Sequence, residues 1–96
     1  MSGPRTEPAT IAVLREACVG WLRGEYADRW LTAANLVNLA YNTGAFALEA
    51  QVTRRKVVAA LAQAVKAGEV ERETRNRYGH VTTFYSAAPS PRGGTS

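Results

Sequence analysis

The chain predicts a mainly helical α+β domain: three helices followed by a β-hairpin. Three observations carry that expectation. Apolar residues recur at helical spacing in three stretches, two of them opened by a threonine suited to N-capping, Thr32 and Thr53. After Gly68 the period shortens to that of a strand. And 96 residues with 46% hydrophobic content can bury one modest core, enough for a single domain helped by a partner subunit.

The elements follow in order. Ser2 to Ala9 holds Gly and Pro and lacks large apolar residues, so residues 1–9 are expected to form a flexible arm that packs against nothing. From Thr10 the pattern changes: Ile11, Leu14, Cys18, Trp21 and Leu22 fall on one helical stripe, Arg15, Glu16 and Arg23 lie off it, and Gly24 stops the helix. A short charged link and the extended pair Trp30 and Leu31 lead to Thr32. That residue opens a second helix over Ala33 to Asn42, whose buried face is Leu36, Val37, Leu39 and Ala40. Asn42, Thr43 and Gly44 end it. Ala45 to Ala50 reads as a loop or single turn with Phe46 and Leu48 plugged into the core, the alternative being an early start to the next helix.

Gln51 to Gly68 contains the third helix, with Thr53 as N-cap and Gly68 as the C′ residue; Val57, Leu61, Ala64 and Val65 form its core stripe, while Arg54, Arg55, Ala59 and Gln63 look outward. Beyond it Val70, Arg72 and Thr74 alternate with Glu71 and Glu73. Arg75 to His80 supply turn residues, and Val81 to Tyr85 is rich in β-branched and aromatic types. This describes a hairpin with a basic tip. Ser86 to Ser96 is Pro, Gly and Ser with little apolar content; the folded domain is therefore set at residues 10–87 and a disordered tail at 88–96.

The charge is unevenly placed. The net charge is +4, and Gln51 to His80 alone holds seven bases and three acids, while the bases and acids of the remainder cancel. Arg54, Arg55 and Lys56 occupy the first turn of the third helix, where the macrodipole already places partial positive charge. Helix stability does not account for that choice. Contact with an anion does, and nucleic acid is the abundant extended anion of a cell. The plainer reading is a solvated charged face. Arg75 and Arg77 likewise either meet phosphate or the minor groove, or keep a hairpin tip soluble. Gln63 can read adenine or serve as an ordinary surface residue. Tyr78 can stack or bond a phosphate, or simply belong to a loop.

Cys18 is the single cysteine and His80 the single histidine, so no intrachain disulfide forms and no zinc-like ligand spacing exists. Cys18 on an apolar stripe reads as a small buried hydrophobe. No phosphate-binding glycine loop, nucleophile elbow or carboxylate pair appears, so neither an enzyme, a metal, a cofactor nor a small-molecule ligand is expected. No apolar run has the length of a membrane span, and no secretory signal is present; a cytoplasmic protein is expected.

The order of elements resembles the winged helix-turn-helix domain of prokaryotic, bacterial or phage, DNA-binding regulators, over Thr10 to Ala87. The residues that carry the resemblance are Leu31 to Val37, Thr53 to Leu61, and Ala64 to Arg72 running into Phe84 and Tyr85. The resemblance implies that the third helix enters the major groove, that the Arg75 to His80 tip touches the minor groove or backbone, and that Trp30 and Leu31 pair with the wing as a third strand. The link from Asn42 to Gln51 is longer than the usual tight turn of that family. The implied function is sequence-specific binding of double-stranded DNA by a small, nucleoid-associated transcriptional regulator acting by site occupancy. Its contacts are Thr53, Arg54, Arg55, Lys56, Ala59 (which allows close approach), Gln63, Arg75, Arg77, Tyr78 and His80. A homodimer is expected from the apolar surface of the first helix with Trp21, Tyr26 and Trp30. The alternative is a winged-helix protein-interaction adaptor in a replication, segregation or phage complex.

Overall fold

The computed structural model describes residues 4–88. Three helices, α1 (Ile11–Arg23), α2 (Ala33–Asn42) and α3 (Arg54–Lys66), precede an antiparallel hairpin of β1 (Val70–Arg77) and β2 (His80–Ala87). This is the three-helix α+β architecture of a winged helix-turn-helix, with the hairpin as its wing.

Each helix starts where a threonine can satisfy a free backbone donor. Thr10, Thr32 and Thr53 hold extended backbone and accept from the amides of Val13, Asn35 and Lys56. At α2 the Asn35 side chain also accepts from the Thr32 amide, closing a capping box. After α3, Gly68 takes φ +80°, a conformation that costs glycine little and turns the chain into β1.

The core lies between the helices and the base of the hairpin. Leu14, Cys18 and Leu22 of α1, Leu36 and Ala40 of α2, and Val57, Ala60, Leu61 and Ala64 of α3 are fully buried, and Val70 and Tyr85 close the hairpin end. Ala60 takes the core position on α3 expected of Val65, which is half-buried and packs against the cluster from its edge. Burial pushes the Cys18 thiol up to about 12 from an ordinary value of 9.0, so the group is a neutral core hydrophobe.

Leu31 and Tyr85 exchange backbone hydrogen bonds of 2.9 and 2.7 Å, adding a one-residue third strand to the wing. The hairpin itself is longer than its composition suggests. Arg75, Asn76, Arg77 and His80 lie within the strands, Arg75 opposite Thr82 and Arg77 opposite His80, so the turn is Tyr78 and Gly79 alone. Both have positive φ, 54° and 80°, as a tight two-residue hairpin turn requires. Ser86, from a stretch of little apolar content, is a buried residue of β2, and the amide of Ala88, the first residue of the expected tail, donates to the Glu69 carbonyl. Residues 89–96 of the expected tail, and residues 1–3 of the arm, lie outside the described residues.

The arm does pack, contrary to expectation. Arg5 pairs in parallel with Phe46: its amide donates to the Ala45 carbonyl, and the Ala47 amide donates to the Arg5 carbonyl. The Arg5 guanidinium lies 5.8 Å from the centre of the Phe46 ring. The Ala9 amide donates to the Ala50 carbonyl, and Ala9 itself is buried. The connection from α2 to α3 is thereby held from outside. From inside, Phe46 is buried, and the Tyr41 hydroxyl accepts from the Val52 amide at 2.9 Å and donates to the Val52 carbonyl at 3.0 Å. Within this connection Leu48 to Ala50 form one 3-10 turn, as a loop or single turn predicts. Leu48, however, points to solvent at 78% exposure; in so short a turn Phe46 and Ala50 take the inward positions.

Candidate nucleic-acid interface

The expected contacts divide into a set on α3 and a set on the wing. Val57, Ala60, Leu61 and Ala64 bind α3 to the core and fix its rotation. At about 100° per residue that anchoring turns Arg55, Ala59, Ala62 and Lys66 directly away from the core. Arg54 lies on the flank facing the wing, where it lines a groove of about 330 Å³ with Thr32, Ala33, Ala34, Val58 and the β2 residues Val81, Thr82, Thr83 and Tyr85. Gln63 lies on the opposite flank, beside Arg15, Val19, Arg23 and Glu69. Lys56 is half-buried, and Thr53 is occupied in capping.

Lys66 shares the face of Arg55 although it sits in the last turn. The eleven-residue separation brings the two within about 20° of each other, about 16 Å apart along the axis. The intervening face, with Ala59 and Ala62 exposed, lets a partner approach the α3 backbone closely.

Among the described residues the α3 cations form no ion pair with a carboxylate. No acid occupies the first turn of α3, and among the described residues the two ion pairs are Arg15 with Glu69 at 2.9 Å and Arg75 with Glu73. Three positive side chains at a helix N-terminus, all without a neutralising neighbour, make a strongly electropositive corner.

On the wing the cations differ from one another. Arg75 is bonded to Glu73, and its guanidinium lies 4.7 Å from the centre of the Phe84 ring and 5.8 Å from that of Trp30. It cements one face of the hairpin to the segment before α2. Arg77 stands one residue before the turn, exposed and outside both ion pairs, and Tyr78 at the turn is 94% exposed. His80 is exposed opposite Arg77. The structure thus places Arg54 in the groove, Arg55 on the outward face of α3 and Arg77, Tyr78 and His80 at the far end of the wing, and leaves Gln63 and Arg75 facing elsewhere.

Sequence reasoning passed over Val58 and Val81, 41% and 65% exposed, which face the same groove from α3 and β2. The signal was available in Val58, which falls off the stripe of Val57 and Leu61.

No protein-family model, curated protein or solved structure matches the chain. Among the described residues no cluster of three metal-ligating side chains occurs, and no helix is long and apolar enough to cross a membrane.

Proposed function

We propose that this protein binds double-stranded DNA through α3 and the wing, as a small transcriptional regulator of the prokaryotic winged helix-turn-helix kind that acts by occupying its site. The observation that supports this most strongly is the first turn of α3, where Arg54, Arg55 and Lys56 stand at a helix N-terminus without an acid or an ion-pair partner. Arg55 faces the base edges, Arg54 and Arg77 meet phosphates on either side, and Tyr78 and His80 follow the backbone at the wing end. This is a binding role and not an enzymatic one, exercised on the nucleoid in the cytoplasm.

The protein acts as a homodimer in this reading. Trp21, Tyr26 and Trp30 remain half-exposed on one monomer, and one module makes few phosphate contacts. Paired half-sites about 34–36 Å apart are the usual geometry for such dimers. Sedimentation showing a monomer at high micromolar concentration, with one protein per site, would end the dimer proposal.

A second reading has its own observation. Tyr85 turns its amide and carbonyl toward Leu31, so the alternate residues Val81 and Thr83 present theirs to the same open edge, beside the Val58 groove. An adaptor would take an extended peptide there by strand addition. Gel-shift titration against random duplex at low and physiological salt separates the readings. The regulator binds and weakens steeply with salt, whereas an adaptor leaves the duplex free at both.

A further inference from the structure

The face that α3 turns outward carries cations at its ends and aliphatic groups between them. Arg55, Ala59, Ala62 and Lys66 fall within about 60° of one another on the helix circumference. Val58, 41% exposed, borders them on the wing side, and Val81 on β2 is 65% exposed across the groove. Gln63, the α3 side chain able both to donate and to accept, is rotated about 80° from Arg55 toward α1 and lines the groove with Arg15 and Glu69.

The chemistry of that face limits what it can read. Base edges in the major groove offer hydrogen-bond donors, acceptors and one apolar group, the C5-methyl of thymine. Methyl and isopropyl groups cannot satisfy a donor or acceptor pressed against them, so a polar edge in that place loses water without compensation. A thymine methyl loses no hydrogen bond and gains the burial of apolar surface.

Resting on the DNA reading above, we infer that α3 selects its site through thymine methyl groups. Val58, Ala59 and Ala62 determine the specificity of the segment that lies between Arg55, which meets a base edge at one end, and Lys66 at the other. Val58 to Ala62 rises about 6 Å, which matches about two base steps of about 3.4 Å. The core of each half-site is therefore a run of about three A·T pairs, the number that two base steps join.

The test uses the full chain. A preferred duplex is selected from a random pool and resynthesised with deoxyuridine for thymine, first inside the core of the half-site and, in a second duplex, outside it. Each contacted methyl removed is expected to weaken binding about four-fold, the factor equivalent to about 0.8 kcal/mol, with no loss from replacements outside the core. Val58→Ala is expected to shrink the thymine-to-uracil ratio at one position, while the wild-type ratio stands even if that variant fails to fold. Equal affinity for the uracil and thymine cores, equal losses outside the core, or a selected G·C core would overturn methyl reading and leave DNA binding standing. Failure to retain any duplex at low salt would overturn both.

Discussion

Arg55 on α3 and Arg75 on the wing are the same residue type in the same basic third of the sequence, yet the fold gives them opposite circumstances. Arg55 projects from a helix N-terminus with no acid beside it. Arg75 is bonded to Glu73 and spread over Phe84 and Trp30. An arginine already paired and stacked must give up those contacts to reach a phosphate, whereas an unpaired one exchanges only water and counterions. Net charge locates a basic region; availability selects the cations within it.

The largest effects should come from the framework that aims α3. Phe46→Ala removes a buried ring at the point where Arg5 and the α2 to α3 connection meet, and should cost about 3–5 kcal/mol in a denaturant melt. Should the loss be small, the connection does not depend on Phe46, and the arm contacts are incidental. Tyr41→Phe leaves the Val52 amide and carbonyl without their shared partner. That should cost about 1–3 kcal/mol, or a fall in melting temperature of about 4–8 °C per kcal/mol for a domain of this size.

Binding variants sharpen the contrast between the two arginines. Arg55→Ala should weaken binding by about 1–3 kcal/mol and relax preference at one base position. Gln63→Ala should leave the selected sequence unchanged, since its side chain lies toward α1; altered selection would mean that α3 is docked on its other flank. At neutral pH the smallest effect is expected from the ionisation of Cys18. Below its ordinary value of 9.0 the thiol is neutral folded and unfolded and contributes no pH dependence. Between that value and about 12 the unfolded chain loses the proton that the folded one keeps, so stability falls as pH rises. A Cys18→Ala variant should lack that component of the alkaline decline, and alkylation of the wild type at neutral pH should require unfolding.

The helices were legible because their signals are local. Thr32 and Thr53 cap within one turn of themselves, and the stripes of Leu14, Cys18 and Leu22 or of Val57 and Leu61 follow the helical period. The arm was not legible, because Arg5 and Ala9 are ordered by backbone bonds to Ala45, Ala47 and Ala50, a pairing that composition does not encode. Arg75, Asn76 and Arg77 look like turn residues because they are polar. They are strand residues because Tyr78 and Gly79 supply the two positive φ angles that a tight turn needs. Within the candidate interface, the cluster on α3 was readable from charge and capping. The engagement of Arg75 was not, since Trp30 reaches it only through the tertiary fold.

The most direct test is the salt dependence of duplex binding for the wild type, Arg54→Ala and Arg75→Ala. Binding should weaken steeply with salt, the slope of log affinity against log salt should fall by about one for Arg54→Ala, and Arg75→Ala should keep the wild-type slope. A wild-type affinity indifferent to salt, or a slope lowered by Arg75→Ala and untouched by Arg54→Ala, would contradict the claim that the unpaired cations of α3 carry the contact.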